Sequence, residues 1–428
     1  MGRPMKDSGV EWIGEIPEDW EVTKLKTIFS ILGGNGFPEH LQGNDSGDYP
    51  FYKNSDLSAE EDKCIYYAKN YVTTHVIDEN KFRVIPAESI IMSKIGEAMK
   101  KNHRKINVAD CLIDNNLQAL SIKNKTKYHL GFYFYVMCLI DSAIFDNRGT
   151  IPSINNNMLR NEYILYPMIN KQKKIAAFLD RKTTHINGIV EKTKASIDAF
   201  KRYKQALITE TVTKGLNPDV PMKDSGIEWI GMIPEHWDVA KLGQYFRQVK
   251  NKNTGMIEDN LLSLSYGNIV KKNINSNDGL LPESFEGYNV IKTDDIVLRM
   301  TDLQNDKNSL RTGYSKQNGI ITSAYITIRK YNKIYSGFAH MYLHSFDISK
   351  GFYGMGSGVR QGVTFEMLKK LEIILPPMNE QSQIISYLDE KIAHIDRLIQ
   401  NKQAMVEKLE AYKKSLIYEY VTGKKEVE

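Results

Sequence analysis

The chain of 428 residues contains only three cysteines, Cys64, Cys111 and Cys138, and they lie far apart. None belongs to a C-x-x-C pair, which argues against a disulfide framework or a zinc ribbon and fits a reducing cytoplasm. Long hydrophobic runs are also lacking. The most apolar stretch, 131–140, is too short to span a bilayer, and the first residues carry no signal-peptide apolar region. A soluble, cytoplasmic protein without a membrane partner is expected. Spacings that hold nucleotides or metals are missing as well. Gly34-Asn35-Gly36 and Gly354-Met355-Gly356 do not continue as a dinucleotide fingerprint, and no G-x-x-x-x-G-K-[ST] occurs. Leu375-Pro376-Pro377-Met378 is not the [DN]-P-P-[FYW] of amino-methyltransferases. There is no H-E-x-x-H, and His75, His185 and His394 stand alone. The chain is therefore expected to have no catalytic residue, no metal ligand and no cofactor of its own.

Charge is weakly one-sided. The net charge of +5 and a pI near 8.7 are compatible with a nucleic-acid partner and too mild to require one.

What the sequence does have is a repeat. Residues 5–25, MKDSGVEWIGEIPEDWEVTKL, recur at 222–242 as MKDSGIEWIGMIPEHWDVAKL, identical at 16 of 21 positions. A second pair of copies follows each middle segment at an offset of 209 residues: Pro167 with Pro376, Gln172 with Gln381, Leu179-Asp180 with Leu388-Asp389, and Tyr203 with Tyr412. The chain is a tandem duplication whose ends repeat and whose middles diverge. Within the first middle, Phe82–Ile85, Ser89–Ile95 and Leu117–Ile122 read as strands, and Tyr128–Phe145 as one helix.

Two long segments, 172–214 and 381–420, carry apolar residues at three- and four-residue steps. The first stripe comprises Leu179, Ile186, Ile189, Ile197 and Leu207. The second comprises Leu388, Ile392, Ile395, Ile399, Val406, Leu409 and Leu416. Both predict coiled-coil seams on long helices. Because the first helix ends where the second domain begins and that domain ends where the second helix begins, the two must run antiparallel if they pair, with the N-terminal repeat near the end of the second helix. The expected fold class is α+β, with two mixed α/β domains separated by an antiparallel two-helix coiled coil about a pseudo-two-fold axis. Two reading heads on a spacer suit a nearly linear, bipartite target such as duplex DNA, whose half-sites recur about every 34–36 Å.

The order of segments resembles the specificity subunit of type I restriction–modification systems over essentially the whole chain. The motifs that carry the resemblance are the twice-used DSGxEWIGxIPxxW and the P-x(4)-Q-x(6)-LD entry into each long helix. The second entry keeps the usual Pro-Pro and acidic residue, as Pro376-Pro377 and Glu380; the first has lost one proline and the acid, with Lys171 at that place. The resemblance implies repeat segments at 1–25 and 217–242, target recognition domains at 26–165 and 243–375, and long helices at 166–216 and 376–428. It implies double-stranded DNA as ligand and two modification (methyltransferase) subunits as partners. Restriction (translocase/nuclease) subunits would join them. S-adenosylmethionine, ATP and Mg would then be used by those partners. The competing expectation is an autonomous DNA-cleaving or DNA-modifying enzyme.

Candidate DNA contacts follow from side-chain chemistry. Lys94, Lys100, Lys101, Arg104 and Lys105 form a basic run suited to phosphates. Asn115 and Asn116 precede a strand, and an amide can bond adenine through two atoms. Arg299, Asp302, Gln304, Asn305, Ser309 and Arg311 crowd one loop with groups matched to base edges. Arg148 in the first half and Arg360 with Gln361 in the second lie in loops before a Met-Leu helix start.

Overall fold

The computed structural model describes residues 3–58, 62–274, 282, 284–303, 310–355 and 362–427. Among them four helices reach ten residues: α1 (Leu130–Leu139), α2 (Ile169–Lys214), α3 (Ser336–Ile348) and α4 (Met378–Val421). The long helices α2 and α4 each start three residues before the sequence pattern suggested. Their N-termini follow Pro167 and Pro377 closely, because proline is tolerated where helix N–H groups have no intrahelical partner. Helix α2 ends where Gly215 adopts φ +79° and donates its N–H to Thr211, and Gly423, just past α4, takes φ +74°. Both are left-handed caps that a residue with a Cβ would strain.

Contacts divide the chain into two units. The first is Met1–Lys194 with Ala404–Glu428, and the second is Ala195–Gln403. Each unit therefore contains part of both long helices. In the first, the rings of Phe178 and Tyr420 lie 4.3 Å apart and Lys413 donates to Asn187 Oδ1 at 2.9 Å. In the second, Lys402 sits 5.8 Å from the Phe200 ring and Lys204 pairs with Asp396 at 2.7 Å. In each unit partner numbers on α4 fall as those on α2 rise, so the helices are antiparallel. Leu179, Ile186, Ile197, Leu388, Ile395 and Leu416 are buried, while Ile189, Leu207, Ile392, Ile399, Val406 and Leu409 are half-buried. A two-stranded seam leaves flanking positions partly open to water, which accounts for the second group.

The repeat segments fold alike. Met5–Asp7 pairs with Glu15–Pro17, and Met222–Asp224 with Met232–Pro234. Each is followed by a strand that pairs with the strand leading into a long helix: Glu21–Lys24 with Tyr163–Tyr166, and Asp238–Lys241 with Glu372–Leu375. In the first unit a Cβ on Gly423 would stand 2.6 Å from Pro17 and 3.1 Å from Trp20, and in the second a Cβ on Gly215 would stand 3.1 Å from Trp237. Tyr418 also donates to the carbonyl of Ile13 at 3.1 Å. Each repeat thus packs on the end of a long helix, the first copy on the end of α4.

Divergent sequences build the same central sheet. In the first unit the order is Phe29–Gly33, Leu117–Ile122, Ser89–Ser93, Arg104–Asn107, with Cys64–Ile65 added in parallel. In the second it is Phe246–Val249, Ile326–Lys330, Ile296–Leu298, Thr312–Tyr314. Two expectations need correction. Phe82–Ile85 is not a strand; only Ile85 makes a bridge, to Cys111. Nor is Tyr128–Phe145 one helix. It breaks after Leu139, where the Ile140 carbonyl accepts from Asn102 and Arg104, and Asp141 caps a separate short turn, Ser142–Phe145.

Candidate nucleic-acid interface

The first unit gathers Lys94, Asn116 and the Arg148 loop at one end of its sheet. The Lys94 N–H donates to the Asn116 carbonyl at 2.8 Å, and the Ile154 N–H donates to the Lys94 carbonyl at 2.9 Å. Gly96 donates to Pro152 in the same way, at 2.7 Å. These bonds fasten the loop carrying Arg148 beside the end of strand Ser89–Ser93. Arg148 is exposed and sits at φ +56°, Asn115 is exposed, and Lys94 and Asn116 are half-buried. Asn116 is held by Asp114, which accepts from both its backbone and its amide. Burial pushes the Asp114 carboxyl up, against the hydrogen bonds from Asn116 that pull it down. Lys100 and Lys101, on and just past the short helix Glu97–Lys100, are exposed, and Lys100 pairs with Glu97 at 2.8 Å.

Three basic residues read from the sequence as DNA contacts are interior instead. Arg104 is 5 % exposed and donates to the carbonyls of Asn102 and Ile140 and to Ser142 Oγ at 2.8–3.0 Å. Burial lowers its pKa to about 10. Lys105, also 5 % exposed, donates to the Asp62 carbonyl. Arg311 is fully buried. Its guanidinium spans the carbonyls of Arg299, Thr301 and Asp302 at 2.9–3.3 Å and reaches the Tyr353 hydroxyl at 3.3 Å. A charge buried in this way holds a loop by filling its carbonyls, and it cannot reach a nucleic acid without leaving them unpaired. Arg104 opens strand Arg104–Asn107 and Arg311 immediately precedes the equivalent strand Thr312–Tyr314, but the one-residue offset sends the two side chains to opposite faces and to different carbonyls.

In the second unit Arg299 and Asp302 are half-buried on the loop that Arg311 holds, and Asp302 takes φ +59°. The Met300 carbonyl accepts from Val363 at 2.9 Å, the counterpart of the bond between Lys94 and Ile154. Gln304, Asn305, Ser309, Arg360 and Gln361 lie outside the described residues.

Sequence reasoning passed over one feature. Leu262–Ser265 and Asn268–Lys271 form a hairpin whose two-residue tip is Tyr266-Gly267, with φ +46° and +81°. Positive φ at both tip residues is the turn that suits strand twist, yet it strains a tyrosine. Tyr266 is 76 % exposed, and a Cβ on Gly267 would lie 3.1 Å from Leu310, so the hairpin flanks the Arg299 loop. The alternating LSLS followed by YGN is the signal that could have found it.

The entry motif into the long helices has a structural meaning. Gln172 and Gln381 are buried. Each donates Nε2 to the carbonyl of the proline five residues earlier, at 2.7 and 2.8 Å. Each Oε1 accepts the backbone N–H that precedes α1 or α3, from His129 at 2.8 Å and Tyr335 at 2.9 Å. One glutamine thereby joins strand exit, long helix and domain helix. Beside it the copies differ. Glu380 accepts from Trp237 Nε1 at 2.9 Å and contacts His236 at 2.7 Å. At the first junction Lys171 faces Glu426 instead, and the buried Trp20 Nε1 has no hydrogen-bond partner among the described residues.

Among the described residues no group of three or more His, Cys, Asp or Glu is placed to hold a metal ion, and no helix is long and apolar enough to cross a membrane.

Residues 17–199 and 234–408 match the family model described as the type I restriction modification DNA specificity domain. Two relatives come from Methanocaldococcus jannaschii. The putative type I restriction enzyme MjaX specificity subunit is 26% identical over 429 residues, covering 96% of this chain and 95% of the relative. The type I restriction enzyme MjaVIII specificity subunit is 24% identical over 433 residues, covering 96% and 93%. A solved structure described as the structural basis of complex assembly and conformational transition of the type I R-M system aligns with a TM-score of 0.67 at 13% identity. That alignment covers 95% of this chain and 98% of that one.

Proposed function

The chain belongs to the family of type I restriction modification DNA specificity subunits, and from that membership we infer that its two recognition domains each read one half of a split duplex DNA site. The observation that carries the reading is the pairing of a repeated frame with two unlike middles on equivalent sheets, each with a loop pinned to the same strand end through Lys94 and Ile154 or Met300 and Val363. Such a frame keeps position constant while the reading groups vary. In the first domain Lys94, Lys100, Lys101 and Arg148 supply phosphate neutralisation, and Asn115 and Asn116 supply amides for base edges. In the second, Arg299 and Asp302 take the corresponding part, together with Gln304, Asn305, Ser309, Arg360 and Gln361. The exposed frame of repeat segments and long helices docks two modification subunits, which methylate adenine with S-adenosylmethionine. Restriction subunits add ATP- and Mg-dependent translocation and cleavage. The chain itself contributes recognition and no catalytic group.

The test is reconstitution with the modification subunits of the same system, followed by single-molecule mapping of methylated adenines. A gapped motif is expected, and Arg299→Ala should alter preference in one half of it only. Altered preference in both halves would count against separate readers. Incubated alone with plasmid DNA, Mg²⁺, ATP and S-adenosylmethionine, the chain should neither cleave nor methylate; either product would favour the autonomous-enzyme reading.

A further inference from the structure

In each unit the recognition domain covers one flank of a long helix and leaves the other bare. In the first, α1 rests on α2 at Ala176, where a Cβ on Gly131 would stand 3.3 Å from the alanine methyl. Tyr135 extends that contact by donating to Asp180 at 2.6 Å. In the second, α3 rests on α4 at Ile385, 3.5 Å from where a Cβ on Gly337 would stand. His185 follows Ala176 by nine residues, and His394 follows Ile385 by nine. Nine residues are about two and a half turns, so each histidine points away from the recognition domain of its unit. Both are exposed, as are Lys182 and Lys391 one turn earlier. Lys391, His394 and Arg397 rim a shallow depression there with Glu390 and Ala393.

A tyrosine of the other helix stands beside each histidine. Thr183, Ile186, Val190, Thr193 and Ile197 alternate by three and four residues as the buried seam of α2, and α4 keeps the same register from Ile392 to Leu416. In that register Tyr203 and Tyr412 immediately precede seam positions, as Lys182 and Lys391 do, and the histidines lie next to that edge. These edge positions face one another across an antiparallel pair. The bond from Lys413 to Asn187 sets the level in the first unit and brings Tyr412 within about one turn of His185. The pair Lys204–Asp396 does the same for Tyr203 and His394 in the second. Tyr203 and Tyr412 are 57 % and 56 % exposed, and no other Phe, Tyr or Trp of α2 or α4 is exposed. Packing within the rod therefore does not account for either ring.

Common ancestry alone does not account for the match. Exposed positions nearby have drifted through reversal of charge, with Arg181 against Glu390 and Lys201 against Glu410. Tyrosine on a solvated helix face also costs helix propensity relative to lysine, glutamine or alanine, and it is a residue type that carries interface energy. We propose that the flank marked by Lys182, His185 and Tyr412, and again by Lys391, His394 and Tyr203, is where the modification subunits dock, one at each patch, with the tyrosine ring as anchor. This rests on the functional reading above and adds the face and the residues. Two copies of one patch fit two copies of one partner, and duplex DNA has to meet the recognition domains, from which this flank is turned away. The first patch has further exposed cations in Lys174, Arg181, Lys192 and Lys408, where the second has Gln383, Glu390, Asn401 and Ala199. The partner's docking face is accordingly acidic around a pocket for the ring, and attachment at the first patch is the more salt-sensitive.

The test titrates the full chain with the modification subunit of the same system, by calorimetry at low and high salt. The unaltered chain should show two binding events. Tyr412→Ala should weaken the more salt-sensitive event by about tenfold or more, and Tyr203→Ala the other, with thermal melting of both variants unchanged. Arg181→Glu should reduce the salt sensitivity of the first event toward that of the second. Gln205→Ala, exposed on α2 but on the other flank, is the control and should change neither event. Two unaltered events in both tyrosine variants would overturn the assignment, as would a loss in Gln205→Ala equal to that in Tyr203→Ala. A tyrosine variant that takes up the subunit normally but loses retention of duplex DNA, or self-association of the chain, would give the flank to another occupant and overturn it as well. Uptake of no modification subunit by the unaltered chain would instead strike the functional reading, and the occupant named here with it.

Discussion

Gln172 and Gln381, 209 residues apart, make the same two hydrogen bonds to the same two kinds of backbone group. Each ties the carbonyl of the preceding proline to the N–H that opens a domain helix. The repeated spacing from proline to glutamine is therefore a brace for the domain, whatever the domain reads.

Replacing either glutamine by alanine leaves a buried carbonyl and a buried N–H without partners. Each orphaned group costs about 1–3 kcal/mol. Urea unfolding of Gln172→Ala and Gln381→Ala should show a lower midpoint in both, with the loss in Gln172→Ala confined to the first unit. Unchanged midpoints would mean that water replaces both bonds at no cost.

Arg311→Ala is expected to destabilise the second unit by about 3 kcal/mol or more, since it frees three loop carbonyls and a tyrosine hydroxyl in one step. Arg104→Ala should do the same in the first. Thermal melting of the purified chain measures both. A variant that melts normally yet misreads one half-site would return Arg311 to the role of a DNA contact.

Tyr266→Ala should lower selectivity at the half-site read by the second domain and leave stability within about 0.5 kcal/mol, as for other exposed positions. A two-stranded ribbon fits the major groove, and an exposed ring at its tip is placed to touch thymine methyls or sugar. Methylation mapping of the reconstituted complex reads the outcome; an unaltered motif would remove the hairpin from the interface.

Acid should weaken the second unit through His340. Burial, reinforced by neighbouring His344 and by Lys316, lowers its pKa from 6.5 to about 3, and burial lowers that of His344 to about 4. Between those values and 6.5 the unfolded chain binds protons that the folded chain refuses. Stability is thus complete above about pH 6.5 and falls as the pH drops from there. Denaturant midpoints measured at neutral and mildly acidic pH should reveal the slope, and His340→Phe should flatten it.

Much of the frame was legible because it obeys simple periods. The seams on α2 and α4 announce themselves by three- and four-residue steps, and Leu117–Ile122 is a strand with the boundaries its apolar pattern suggested. Repetition added what periodicity could not: Gln172 and Gln381 had to do equal work, and Trp20 and Trp237 had to be equally buried. The reading groups were harder. Arg104, Lys105 and Arg311 look like surface cations, and only the packing around strands Arg104–Asn107 and Thr312–Tyr314 reveals that they face inward. Phe82–Ile85 is apolar enough for a strand, but among the described residues its only bridge is at Ile85, and both backbone groups of Arg83 are taken by the Asn35 side chain instead. The break after Leu139 depends on a carbonyl claimed by Arg104, a contact 36 residues away that no local pattern encodes.

The second unit is one unbroken stretch of chain, Ala195–Gln403, whereas the first is assembled from Met1–Lys194 and the final segment beginning at Ala404. During synthesis the downstream half can close as soon as its own residues emerge. The upstream half, although made first, waits for the last turns of α4 to cover Ile175, Leu179 and Trp20. Truncation before Ala404 would consequently injure the unit built on Met1–Lys194 more than the unit Ala195–Gln403.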